Sequence, residues 1–130
     1  MKIELWKGYS EQPRQNRFLA SLNYSHGLLT VQIEYSKLDQ SYLVVFRAPH
    51  YFRVMDEGDL LKFQSQFDTP VFANGFIYQI YDSELINYCY NEKCEILEKE
   101  KFNHFVLVTD DDFIDVIAFD DEPSIVAIDV

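Results

Sequence analysis

Alternation between apolar and polar side chains is cleanest at Leu29, Val31, Ile33 and Tyr35, which are interleaved with Thr30, Gln32 and Glu34. A period of two puts the first set on one face of an extended chain, so a strand with one buried face is predicted over 28–35. Tyr42 to Arg47 (YLVVFR) is a continuous β-rich run ended by Ala48-Pro49, and Tyr51 to Met55 is a shorter one. Their spacing predicts three strands in hairpin order, hence an antiparallel sheet. Met1 to Trp6 alternates weakly, with Ile3 and Leu5 on one side, and is read as a first strand.

A helical period is read in three other places. Ser10 is a candidate N-cap, Pro13 is tolerated in a first turn, and Phe18, Leu19 and Leu22 recur at helical spacing, which predicts a helix over 11–23 followed by a turn from Asn23 to Gly27. Asp56 and Asp59 precede Leu60, Phe63 and Phe67, predicting a short helix over 57–67 that Thr69-Pro70 ends. Asn74-Gly75 signals a tight turn, and Phe76 to Tyr81 (FIYQIY) reads as a strand. Asp82 or Ser83 then caps a third helix over 83–92, with Leu85, Ile86 and Cys89 on its apolar face and Asn87, Tyr88 and Asn91 outward. The closing runs 104–109 (HFVLVT), 113–119 (FIDVIAF) and 124–129 (SIVAID) are separated by acidic turns and predict a three-stranded meander. The sum is an α+β fold, mainly an antiparallel sheet of about six strands with two or three helices packed on it.

With 130 residues, 48% of them hydrophobic, and only four Gly and four Pro, the chain has material for one core and no low-complexity linker. A single domain over 1–130 is expected. No apolar run is long enough to span a bilayer, and the start MKIELWKGYSEQ lacks the layout of a secretory signal, so no membrane association and a cytoplasmic location are expected. The two cysteines, Cys89 and Cys94, miss the C-x-x-C spacing, and on a helix they would point roughly 140° apart, so they are read as reduced structural thiols.

Charge changes the picture more than composition does. Residues 1–55 hold seven Lys and Arg against four acids, whereas residues 56–130 hold four Lys against eighteen acids, so the net −11 arises wholly in the second part. Such a field attracts a basic partner and repels nucleic acid. A nucleic-acid face assembled from Arg14, Arg17, Lys37, Arg47 and Arg53 has only average density and is opposed by the overall charge.

The acids concentrate at Asp110, Asp111, Asp112, Asp115, Asp120, Asp121 and Glu122. A calcium loop starting at Asp110 would put Asp115 where the sharp turn needs glycine, so that motif is absent. If the flanking runs are strands, the acids fill two turns at opposite ends of the middle strand, about 20 Å apart at 3.3 Å per residue. Separate acids of this kind suit a protein-binding surface, which needs no convergence, and neither a metal nor a cofactor is expected. Tyr88 and Tyr90 on the third helix are further candidate contacts, because exposed tyrosine offers a large rigid surface for little entropy. His26, His50 and His104 show no paired spacing. No nucleophile elbow or glycine-rich phosphate loop exists either.

The stretches FRVMDEGDLLKF (Phe52 to Phe63), Phe76 to Tyr81 and HFVLVTDDDFIDVIAFDDEPSI (His104 to Ile125) give roughly the last two-thirds of the chain a pattern that resembles small acidic single-domain bacterial proteins of the immunity class, antidotes to secreted or contact-dependent toxins. That class has many folds and no shared catalytic motif, so the resemblance carries no site residues. It implies a non-enzymatic domain that neutralises a basic toxin, such as a nuclease, by occluding its active face. Two alternatives stand beside it: a small hydrolase or nuclease using His50 or His104 with a neighbouring Asp, and an accessory ligand-binding or oligomerising domain.

Overall fold

Leu29, Val31 and Ile33 are completely buried, with the half-buried Thr30 and Gln32 between them, so the alternation read from the sequence is the alternation of a strand in place. The computed structural model describes residues 2–6, 17–35, 40–56, 75–93 and 99–129. In chain order these form β1 (Lys2–Leu5), β2 (Arg17–Ser25), β3 (Leu28–Tyr35), β4 (Gln40–Arg47), β5 (Tyr51–Asp56), β6 (Ile77–Tyr81), α1 (Glu84–Lys93), a 3₁₀ turn (Lys99–Lys101), β7 (Phe102–Val108), β8 (Asp112–Phe119) and β9 (Ser124–Asp129). One sheet has the order β1-β6-β7-β8-β5 and the other β2-β3-β4-β9, and every pairing is antiparallel.

The sheets share one core, a two-layer arrangement in which the inner faces interdigitate. Phe46 of β4 lies 5.9 Å from Phe105 of β7 between ring centroids, and Tyr42 lies 5.5 Å from Phe76. The five-stranded sheet is also buried on its second face. There Tyr78, Ile80, Val106, Val108 and Phe113 form one cluster, and Cys89, Phe102 and Ile117 form another beside Leu85 and Ile86 of α1. Burial on both faces explains why β7 and β8 read as unbroken apolar runs rather than as alternation. It also makes the two polar residues on their second face, His104 and Asp115, exceptional.

The expectation of an α+β fold with two or three helices is overturned: the chain is mostly antiparallel β in two sheets, and the described residues hold one α-helix and one 3₁₀ turn. The helix predicted over 11–23 is a strand from Arg17 onward. A register shift between Leu19 and Ser21 inserts one residue, so Leu19 and Leu22, three apart, both reach the core from the same face. Odd spacing of apolar residues imitated a helical period. The helix predicted over 57–67 lies outside the described residues. The third helix is α1, close to its predicted bounds. Two strand orders are corrected as well: β5 pairs with β8 rather than β4, and β9 leaves the closing meander to pair with β4. The predicted turn from Asn23 shrinks to His26-Gly27, both at positive φ (54° and 74°), the two-residue geometry that matches strand twist. No helix among the described residues is long and apolar enough to cross a membrane.

Candidate functional site

The acids predicted to form a partner surface divide into three environments. Asp110 and Asp111 occupy the β7–β8 turn, and Asp112 opens β8 directly opposite Asp56 of β5. Burial pushes the Asp112 carboxyl above the usual carboxylate range, and the charges of Asp111 and Asp56 push it further. Asp120, Asp121 and Glu122 lie at the other end of β8, where the Asn103 side-chain amide donates to the Asp121 carbonyl at 3.4 Å and the Asp121 carboxylate accepts the Glu122 backbone N–H at 2.9 Å. Asp115 belongs to neither end. It is 1% exposed in the middle of β8 and corrected from partner contact to internal group.

Asp115 is the centre of a hydrogen-bonded chain across the second face of the five-stranded sheet. Its Oδ2 accepts from Arg53 Nε at 2.8 Å and its Oδ1 lies 2.6 Å from His104 Nε2, while His104 Nδ1 lies 2.7 Å from Ser83 Oγ. Register explains the convergence. Arg53 faces Asp115 directly across β5–β8, whereas Asp115 pairs with Val106 and meets His104 as a diagonal neighbour two residues along. An ionised carboxylate only accepts, so in the neutral imidazole Nε2–H donates to Asp115 and leaves Nδ1 to accept the Ser83 hydroxyl proton. The Ser83 oxygen then accepts the Ile86 backbone N–H at 3.2 Å, capping α1 behind Asp82, whose φ is 53°. Burial opposes charge on the Arg53 guanidinium, but the hydrogen bond and charge of Asp115, joined by Tyr51, outweigh it and raise its pKa.

Serine, histidine and aspartate in sequence are the parts of an acyl-transfer relay, and Ser83 lines a surface pocket of about 570 Å³ together with Gln79, Tyr81, Asn87, Lys99 and Asn103. Two features bind this relay to the scaffold. Ser83 is only 3% exposed, and its oxygen already serves as the helix cap.

Tyr88 is 60% exposed on α1, and Tyr90 is half-buried against the Cys89 cluster with Lys99 Nζ 5.9 Å from its ring centroid. His50 is exposed and lies 5.1 Å from Phe102 between ring centroids, while His104 is buried between Ser83 and Asp115. Cys89 is buried beside Phe102 and Ile117; Cys94 lies outside the described residues. Arg17, once part of an imagined basic face, is fully buried with its guanidinium 4.7 Å from the Phe76 ring centroid, and Arg53 is committed to Asp115. Among the described residues no three His, Cys, Asp or Glu side chains gather as a metal would require.

Sequence reasoning took Ser83 as a cap and Arg53 as scattered basic charge, and so missed the relay. The available signal was polarity at His104 and Asp115 within strands otherwise apolar on both faces. No protein-family model, no curated protein and no solved structure matches this chain, so its functional reading rests on its own geometry.

Proposed function

We propose that this chain is a non-enzymatic, acidic protein-binding domain of the immunity type, which neutralises a basic toxin, such as a nuclease, by covering its working face. A cytoplasmic location belongs to the same proposal. The observation that carries it is the opposition of Asp56 and Asp112 across β5–β8 with Asp111 beside them. Like charges directly opposite in a ladder are destabilising, and a basic surface is drawn to the end of β8 where Asp111 and Asp112 stand together. A nuclease must attract phosphate and therefore presents such a surface. Co-purification with the basic domain encoded by the neighbouring gene tests the proposal; a neighbour that is neither basic nor retained on the column would sink it.

One observation favours a second reading. The Ser83–His104–Asp115 chain beside a pocket fits a small hydrolase, with His104 as base and Ser83 as nucleophile. Labelling by a serine-reactive fluorophosphonate that Ser83→Ala abolishes would establish that reading, and an unlabelled native protein would dismiss it.

A further inference from the structure

Strand edges offer unpaired backbone groups, and proteins usually guard them with charge, proline or a bulge. Three of the four outer strands here are guarded. β1 carries Lys2 and Glu4 in a 2.8 Å ion pair, β2 carries its register shift, and β5 carries Arg53 and Asp56. β9 differs. Pro123 precedes it and Asp129 ends it, but Ser124 to Ile128 between them hold no charge and no proline, the strand pairs only with β4 among the described strands, and Val126 is 56% exposed. Ala127, whose partner Tyr42 is buried, is exposed as well, so among the described residues no strand covers this side. Leu43, opposite Val126, continues an apolar stripe on the outer face.

The same side carries a notch of about 230 Å³ lined by Glu4, Leu5, Trp6, Gln79, Tyr81 and Glu122. Glu122 stands two residues before β9, in the loop that Asn103 fastens to the sheet. Glu122, and Glu4 that already meets Lys2, line it with Trp6 and Tyr81, and this lining suits one guest: a guanidinium or ammonium group on an apolar stem.

The geometry points to β9 as the docking edge for an extended segment of a basic protein, which adds antiparallel or parallel to Ser124–Ile128 and sets an Arg or Lys into the Glu4–Glu122 notch. This rests on the partner-binding reading above and specifies how that partner is held. Backbone hydrogen bonds and alternate apolar side chains give affinity, and the notch gives charge selection. A second copy of the chain is a poorer occupant, because each copy brings a net charge of −11 to the contact.

The test is a titration of ¹⁵N-labelled protein with a synthetic ten-residue peptide of alternating Val and Thr ending in two Arg, alongside the same peptide ending in two Glu. Amide shifts at 124–128 and around Trp6 and Glu122 with the Arg peptide only are expected. Glu122→Gln should weaken binding about two- to fivefold, the range of an exposed ion pair. Val126→Lys, which guards the edge without entering the core, should weaken it further. Arg-peptide shifts confined to Asp110–Asp112 would overturn the β9 assignment while leaving a basic partner in place. Absence of binding by either peptide would overturn both, and equal binding of the two peptides would overturn the notch. Sedimentation of the free protein as a dimer that Val126→Lys dissociates would assign the edge to a second copy instead.

Discussion

Asp115 shows how one residue can be miscast when its neighbours in sequence are read without its neighbours in space. It sits among acids, yet it is held by Arg53 and His104 and is the one member of that group taken inside. Removing one partner of a buried pair costs more than the pair is worth, because the other is left without compensation. Asp115→Ala should therefore destabilise the protein by about 3 kcal/mol. Arg53→Ala should cost less, since its side chain is 43% exposed and water screens the group it leaves. Urea denaturation of both variants checks the order. Asp112 behaves oppositely. Its folded pKa is raised, so protonation favours the folded state: its contribution is fully present below the ordinary value of 3.8 and is lost as pH rises through the folded value. Asp112→Asn should thus stabilise the protein at pH 7 by up to about 1 kcal/mol and give no gain below pH 3.8, a difference that melts at the two pH values resolve.

At the scale of elements, β2 accommodates a single extra residue. The inserted position between Leu19 and Ser21 lets residues at odd spacing share a face; deleting Ala20 would set Leu19 and Leu22 two apart in a regular ladder, so both should stay against the core. Leu22→Ala should instead cost about 1–2 kcal/mol, the value of a partly buried leucine, read as a fall in the denaturation midpoint at unchanged slope. α1 depends on Ser83 in a comparable way. Ser83→Ala removes the oxygen that accepts Ile86 N–H and the hydroxyl that meets His104, so it should cost about 1–2 kcal/mol, and Ser83→Thr should recover part of it.

For the whole molecule, charge and contact act on different rates. Reversing the exposed Asp111 and Glu122 to Lys should slow association with a basic partner and flatten its salt dependence while changing stability little, because exposed charges act chiefly on encounter. Stopped-flow association at low and high salt checks this, and an unchanged rate at low salt would remove electrostatic steering from the proposal. The strands beginning at Leu28, Gln40, Tyr51, Ile77, Phe102, Asp112 and Ser124, and the helix from Glu84, were legible because local period and turn chemistry act within a few residues. Sheet membership was not. Sending β9 to β4 and β5 to β8 satisfies backbone hydrogen bonds between segments distant in the chain, and no local pattern distinguishes that from a meander. The acidic turns could be placed by counting residues along β8, and Asp115 was the acid misplaced, since it lies inside. What joined Arg53, His104 and Asp115 was register across three strands, and the cap of α1 brought in Ser83. The sequence alone determined which segments are extended and where the negative charge accumulates, since both follow from neighbours a few residues apart. The tertiary structure alone decided which strand edge is left open and which acid is withdrawn from solvent, because both depend on long-range pairing.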